Sequence, residues 1–508
     1  MAYAEQDYID GWQVYSDWID DLRDGSDLIS SYDEDSTFKE KLLGCKSNLE
    51  RFEFLWNNEA IVKEVRRAYQ SDKSQIKDLQ SSRAPKSIGE SKKLRELGNK
   101  LFKEGDYHQA CTHYTQAVRF APFPTEDDPD TLAIALANRS AALFALNRYR
   151  LCLMDLNMAI SFGYPEANLY KLHIRKIKCL HILSIWDNCG EELKFKLTQM
   201  MNDRNTKDFL KTEISNMFEF VKNTPPDQVE KDDSDLEEEI PDKLCNTNKL
   251  FPTASDCVEL GYEDDSGRCV LLTKDVGFGR LLIAEEPFVS NLAPSRHTTY
   301  CYKCHTKLHN CGLCCSKCTQ VFYCSRECFN HDQTRHSYEC GTFLDFQHLL
   351  GVAYLVPHIM YKIDFNAKTL PFHKKKGVIN KPFDEVAEIK ACEWPDLYFR
   401  PDYTAIVSLL DHAEDYDYDS MMGYVLTAIY LTIAFKDYYP EKFSADEEST
   451  TFLGSVILRH LLQLQTNLIS VLDQDMANLA FVGSSLEGMK ERPIGVALYP
   501  TICMMNHS

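Results

Sequence analysis

The chain has 508 residues, 44% of them hydrophobic, and a formal charge of -21, so it is long enough for two to four domains with true cores. The acidic balance opposes loose attraction to nucleic-acid phosphates or anionic lipid, and the start, MAYAEQDYIDGW, has no basic segment leading into an apolar one. The longest uncharged stretch, Met421 to Phe435, is too short to span a bilayer and reads as a core helix.

Residues 1–90 carry helix-like apolar spacing, as at Leu49, Phe52, Leu55 and Trp56, with no motif tied to chemistry; they read as a helical lead-in. From 91 to 222 the pattern is repetitive. Leu94, Leu97, Gly98, Leu101, Ala110, Tyr114, Ala117 and Pro122 fall on the signature positions of a 34-residue tetratricopeptide (TPR) repeat, in which small Gly98 and Ala110 let two helices approach closely. A second unit follows around Asn138, Ala141, Tyr149 and Ala159, after the enlarged connection FPTEDDPD, and a third begins near Asn168. Three units are about the minimum for a stable solenoid.

Within residues 223–248, PPDQVEKDDSDLEEEIP holds eight acids against one lysine and predicts a disordered linker. Residues 249–296 then show two apolar runs, Val270 to Val276 and Leu281 to Val289, joined by GFGR, which predict a strand, turn, strand unit; the two glycines of that turn lack the third that a phosphate loop needs.

Nine of the 19 cysteines lie between positions 301 and 340, which argues for reduced thiols and metal ligands rather than a disulfide framework, in cytoplasm, nucleus or both. Over 297–340 the pairs read Cys301-x2-Cys304, Cys315-x2-Cys318, Cys324-x3-Cys328 and His336-x3-Cys340. Eight such ligands make two closed tetrahedral zinc sites, and closed sites are structural because no position remains for an activated water. Each contributes about 10 to 16 kcal/mol of apparent binding energy, so this segment should unfold without zinc. Cys311 and Cys314 form a further C-x2-C, and His331 competes with His336.

This constellation resembles the MYND finger, whose family spacing selects the eight ligands named first and implies that the first and third pairs hold one ion and the second and fourth the other. A tryptophan that assists proline-rich peptide docking in MYND fingers is replaced here by Gln333. Ahead of the finger, SGRCVLLTKDVGFGRLLIAEEPFV resembles the opening strands of a SET domain, with Cys269 in place of the second glycine of its G-x-G. At the other end, RPIGVALYPTICMMNHS resembles the SET core motif NHSCxPN. A finger between such pieces is the arrangement of the SET-and-MYND family, and the repeats before it match the TPR-bearing branch.

The resemblance implies a multidomain α+β protein: a TPR solenoid, then a β-rich SET domain split by the two-zinc finger and by a helical insert over 341–455, with the start of the SET core over 456–508. It implies an S-adenosylmethionine-dependent protein-lysine N-methyltransferase acting on histone or other lysine-bearing basic segments. Ser266, Gly267 and Arg268 would meet the methionine end of the cofactor, and Asn467 in LQLQTN, His412 in SLLDH, Asn506 and His507 match further cofactor contacts. A histidine such as His412 is also a common surface or core residue. The family motif continues beyond NHS, so the chain as given reads as truncated and inactive. The family also suggests histone deacetylase complexes as finger partners and a role in chromatin regulation.

On the repeats, Arg95 and Asn99 share one helix face, Lys171 and Arg175 another, with Asn138 between. The set resembles the carboxylate clamp by which TPR domains hold heat-shock chaperone C-terminal tails; such groups also serve as plain solubilising residues on repeat inner faces. The rival reading of the whole chain is a catalytically silent TPR and MYND adaptor in transcriptional regulation, which Cys269 in the glycine motif and the missing end of the SET motif favour.

Overall fold

The computed structural model describes residues 11–186, 188–204, 206–230, 244, 246–249, 252–263, 267–277, 280–365, 403–407, 409, 411–442, 447–472, 493–500 and 502–504. Helices dominate and the sheets are small. In chain order the longer helices are α1 (Gly11–Asp24), α2 (Asp27–Tyr32), α3 (Ser36–Gly44), α4 (Asn48–Trp56), α5 (Glu59–Ser81), α6 (Ile88–Lys103), α7 (Tyr107–Phe120), α8 (Thr131–Ala145), α9 (Tyr149–Ser161), α10 (Leu169–Leu183), α11 (Asn188–Asn202), α12 (Asp208–Asn223), α13 (Arg326–Glu339), α14 (Leu355–Lys362), α15 (Tyr418–Tyr438) and α16 (Glu447–Asn467). The strands are β1 (Val258–Glu263), β2 (Gly267–Leu272), β3 (Val289–Leu292), β4 (Leu313–Cys314), β5 (Phe322–Tyr323), β6 (Ile469–Val471) and β7 (Gly495–Leu498). Residues 1–82, 240–295 and 335–508 form one compact unit, and residues 83–239 and 296–334 form another.

In the first unit the lead-in helices start on side-chain caps. Ser26, Asp35, Ser47 and Asn58 each accept a first-turn backbone N–H, satisfying donors that a helix start otherwise leaves orphaned. Their buried faces are apolar at helical spacing, as Ile61, Val65, Tyr69 and Ile76 show on α5. They pack around α15 and α16, two helices buried on nearly every side. The Tyr15 hydroxyl meets the Thr427 hydroxyl at 3.0 Å, Trp18 sits edge-on to Tyr430 at 4.8 Å, and the Phe52 ring fills the space over Gly454. The lead-in read over residues 1–90 therefore divides: α1–α5 belong to the core around α15, and α6 opens the helical hairpins. Met421 to Phe435 lies buried within α15. Among the described residues no helix is long and apolar enough to cross a membrane.

The first unit's strands differ from the expected hairpin. Residues 270–272 belong to β2, which pairs antiparallel with β1 in register Val258↔Leu272 to Glu263↔Gly267. The run 281–289 is not its partner; β3 begins only at Val289, beyond Pro287, whose ring nitrogen has no proton to give a ladder. Val276, Leu282 and Ile283 instead pack on Ala254, Cys257 and Val258. β3, β7 and β6 form an antiparallel three-stranded sheet with β7 central. The expected linker falls largely on residues outside those described.

In the second unit α6–α12 pack as successive neighbours. A Cβ on Gly98 would come 2.6 Å from the Tyr114 ring, which explains the small residue on that face of α6. Arg139 of α8 and Asp155 of α9 form a bidentate ion pair, 2.8 and 2.7 Å, with both side chains 0% exposed. The same guanidinium donates to the carbonyls of Cys311 and Gly312 at 3.1 and 3.2 Å. Thr115 donates to the Asn310 carbonyl, Arg119 to that of Thr319, and Arg326 to that of Ser161. The second unit thus holds the 310–319 loops with side chains of its own helices.

Replacing Gly454 by Ala drives a methyl into the Phe52 ring. Overpacking of that kind costs about 1 to 3 kcal/mol, so thermal unfolding of Gly454→Ala should show a midpoint lowered by several degrees. An unchanged midpoint would mean that α4 does not pack on α16.

Candidate metal centre and cofactor segments

The finger is built from tight turns. Cys301 N–H donates to the Thr306 carbonyl and His305 N–H to that of Cys301, folding the first pair into a knuckle; His305 takes a left-handed φ of 62° to do so. β4 and β5 form a minimal hairpin, Leu313↔Tyr323 and Cys314↔Phe322. Its far end is a second knuckle, where Cys315 N–H donates to the Val321 carbonyl and Lys317 N–H to the Cys315 sulfur at 3.4 Å. Ser325 caps α13 by accepting from Cys328 N–H, which sets Cys324 just before the helix and Cys328 in its first turn. His336 lies in the last turn, Cys340 follows it, and Gly341 ends the run at φ 71°.

These turns gather the ligands into two groups, Cys301, Cys304, Cys324 and Cys328 in one, Cys315, Cys318, His336 and Cys340 in the other. Within each, the ligand atoms all lie within 4.8 Å of one another. The Cys304 and Cys324 sulfurs are 3.6 Å apart, and those of Cys324 and Cys328 3.5 Å. Hydrogen bonds from Cys301, Cys324 and Cys328 draw the Cys304 thiol below its usual range. Four thiolates, and three thiolates with an imidazole, are donor sets that suit zinc. The competing candidates lie elsewhere: Cys314 is buried and donates to the Cys318 carbonyl, Cys311 is buried beside Cys111, and His331 and Gln333 are exposed on α13.

One residue that sequence reasoning missed is Glu339. It is fully buried and its carboxylate meets the Nδ1 atom of His336 at 3.2 Å, the Nε2 atom of His358 at 3.0 Å and the hydroxyl of Tyr354 at 2.8 Å. Burial alone would push this carboxyl up; His358, the His336 bond and nearby Arg335 outweigh it and hold it well below the usual carboxylate range. The only signal in the sequence is an acid three residues after a ligand histidine on a helix.

Of the expected cofactor residues, Ser266, Asn506 and His507 lie outside the described residues. Gly267 and Arg268 begin β2, opposite Glu263 and Tyr262, and Cys269 is buried on that strand, facing Gly261. Asn467 ends α16, buried, with its amide donating to the Gln463 carbonyl and its own carbonyl accepting from the Cys503 thiol at 3.0 Å. The turn at 502–504 also lies alongside β2. The structure therefore brings β2, Asn467 and the turn leading to Asn506 together. His412 stands apart, half exposed at φ 49°, with Nδ1 3.3 Å from Asp415. Its neighbour Asp411 is anchored by Arg459 at 2.9 Å and Asn48 at 2.7 Å.

On the helical hairpins, Asn99 accepts from the Tyr114 hydroxyl at 2.9 Å and from the Asn138 amide at 2.8 Å. Arg175 donates to the Ala137 carbonyl and the Ser140 hydroxyl, 3.2 and 2.8 Å, so much of its donor capacity is used within the fold. Arg95 and Arg175 both act on Tyr164, although burial wins and raises its hydroxyl pKa. Lys171 is exposed and lies 5.8 Å over the Tyr170 ring.

Native mass spectrometry should find two zinc ions per chain, and Cys315→Ser should retain one of them in the four-cysteine group. Stripping both with a chelator should unfold the 301–340 segment, seen as loss of amide protection there; protection that survives metal removal would contradict the assignment.

No family model matches the chain. It is similar to the curated protein-lysine N-methyltransferase SMYD4 of Homo sapiens, 26% identical over 494 residues that cover 82% of this chain. The protein of the same name from Mus musculus is 26% identical over 520 residues, 86% of this chain. The chain spans 58% of the length of the human relative and 61% of the mouse one. A shorter likeness, 31% over 112 residues, 22% of this chain and 17% of the other, is to the heat shock protein sti1 homolog of Schizosaccharomyces pombe. The two SMYD4 likenesses each cover more than four fifths of this chain, which is therefore similar to SET and MYND domain-containing proteins.

Proposed function

We propose that the protein carrying this chain is an S-adenosylmethionine-dependent protein-lysine N-methyltransferase, with two structural zinc ions, whose helical repeats and finger recruit protein partners. The observation that carries the reading is the convergence of β2, Asn467 and the 502–504 turn, three segments that resemble cofactor-contacting parts of a SET domain. The relatives named as protein-lysine N-methyltransferases support it.

When bound, the cofactor supplies an electrophilic methyl group on a sulfonium. The protein has to align a lysine amine with it, exclude water and remove a proton. A lysine with pKa about 10.4 is mostly protonated at neutral pH, which costs about 4 kcal/mol to reverse unless the site assists. The chain's part in this is positional: β2 offers backbone edge at Gly267 and Arg268, and Asn467 is held rigidly by Gln463 and Cys503. The zinc groups stand outside the chemistry because each has four protein ligands. Their thiol-rich composition suits the reducing cytoplasm or nucleus.

Cys269 favours the second reading, an adaptor that keeps the SET shape without the reaction: it is buried at a position where a glycine would let backbone approach the cofactor. Calorimetry separates the two. The enzyme reading expects the whole protein carrying this chain to bind one cofactor molecule and to transfer labelled methyl to lysine peptides; absence of binding heat would favour the adaptor.

For the repeats, the likeness to the sti1 homolog and the Arg95, Asn99, Asn138, Lys171 and Arg175 set support recognition of an acidic C-terminal peptide. Because Arg175 is tied to α8, the cations with spare donors are Arg95 and Lys171. Loss of a charge-assisted bond costs about 1.5 to 3 kcal/mol, so Arg95→Ala and Lys171→Ala should each weaken an acidic C-terminal pentapeptide about tenfold or more in a fluorescence titration. Equal binding by wild type and both variants would leave these residues as solubilising groups.

A further inference from the structure

A carboxylate that is 0% exposed has to be compensated, and Glu339 is compensated on both oxygens. Its Oε1 atom faces Nδ1 of His336 at 3.2 Å, and its Oε2 atom takes the Tyr354 hydroxyl at 2.8 Å and Nε2 of His358 at 3.0 Å. Arg335 approaches Oε1 at 3.6 Å. The other nitrogen of His358 meets the carbonyl of Ser290 at 3.1 Å, and Ser290 lies in β3 opposite Ala497 of β7. A continuous run of bonds thus leads from His336 through Glu339 and His358 to the three-stranded sheet.

The direction of the His336 contact matters. A neutral imidazole has one N–H and one lone pair. A carboxylate can only accept, so Nδ1 carries the hydrogen towards Glu339 and the lone pair is left on Nε2. That is the form a metal-ligating histidine needs, and an outer carboxylate both fixes it and makes the imidazole a stronger donor. Glu339 follows His336 by three positions on α13, which places the two side chains on one face, and the bond from buried His358 keeps the carboxylate from rotating away.

We infer that Glu339 is the positioning residue for His336 in the Cys315, Cys318, His336 and Cys340 zinc group, fixing His336 with Nε2 towards the ion and tying that histidine to β3. This rests on the zinc reading of that cluster and not on the methyltransferase reading. Glu339 does not touch the ion; it acts through His336. The four-cysteine group has no such partner to lose when Glu339 is changed.

The test uses the full chain loaded with cobalt(II), whose absorption distinguishes a four-sulfur site from one with three sulfurs and a nitrogen, and titrates each site with a competing chelator. Glu339→Ala should weaken the three-sulfur, one-nitrogen site about 10- to 100-fold and leave the four-sulfur site unchanged. Glu339→Gln keeps the shape and an acceptor oxygen without the charge, so it should fold where Ala does not and give a smaller loss at the same site. Tyr354→Phe removes a bond from the other oxygen only; it should lower thermal stability while both cobalt affinities stay at wild type. Equal weakening of both sites in Glu339→Gln, or none in either, overturns the inference, as does a Tyr354→Phe loss matching that of Glu339→Gln. A wild-type chain that binds no cobalt at the histidine site fails the zinc reading itself, a distinct result.

Discussion

Four sulfurs within 4.8 Å of one another are a state that a chain cannot hold by packing alone. As thiolates they repel, and as thiols they make only weak hydrogen bonds. A dication would turn that repulsion into a strong local attraction, and the group of three cysteines and a histidine offers a second place for one. The minimal β4–β5 hairpin, the two knuckles and the start of α13 supply geometry for this closure rather than stability of their own.

Around that constraint the chain adds supports of a different kind. In the second unit Arg139, held by Asp155 in a fully buried pair, also donates to the carbonyls of Cys311 and Gly312. A buried ion pair of this sort is poor evidence for net stability but sharply penalises loss of one partner; its value here is that it orders irregular backbone next to the metal ligands. In the first unit the support is apolar: α1–α5 wrap α15 and α16, so that the segments carrying Asn467 and Asp411 rest on a core that the N-terminal helices share with α14, α15 and α16.

The sequence disclosed most where residue spacing alone carries the information. The grouping of the four close cysteine and histidine pairs was readable because turns of two or three residues bring such side chains together whatever surrounds them, and Gly98 was readable because a helix crossing needs a small residue there. The rest depended on contacts between distant positions. Phe52 packs over Gly454, and Tyr15 bonds Thr427; neither partner identifies the other in a linear reading, so α1–α5 looked like a lead-in. The strand pairing failed because 270–276 and 281–289 have strand-like composition, while β1, with Gly261, Glu259 and Glu263 among its six residues, does not. Glu339 was invisible because a buried carboxylate and a solvated one are the same letter, and Asn506 and His507 lie outside the described residues.

The central claim is that the two side-chain groups are zinc sites of four cysteines and of three cysteines with one histidine. X-ray absorption at the zinc edge on the purified chain tests it most directly. Seven sulfurs and one nitrogen shared between two ions, with Zn–S distances near about 2.3 Å, is the expected result. A first shell dominated by oxygen or nitrogen, or a single ion per chain, would contradict it.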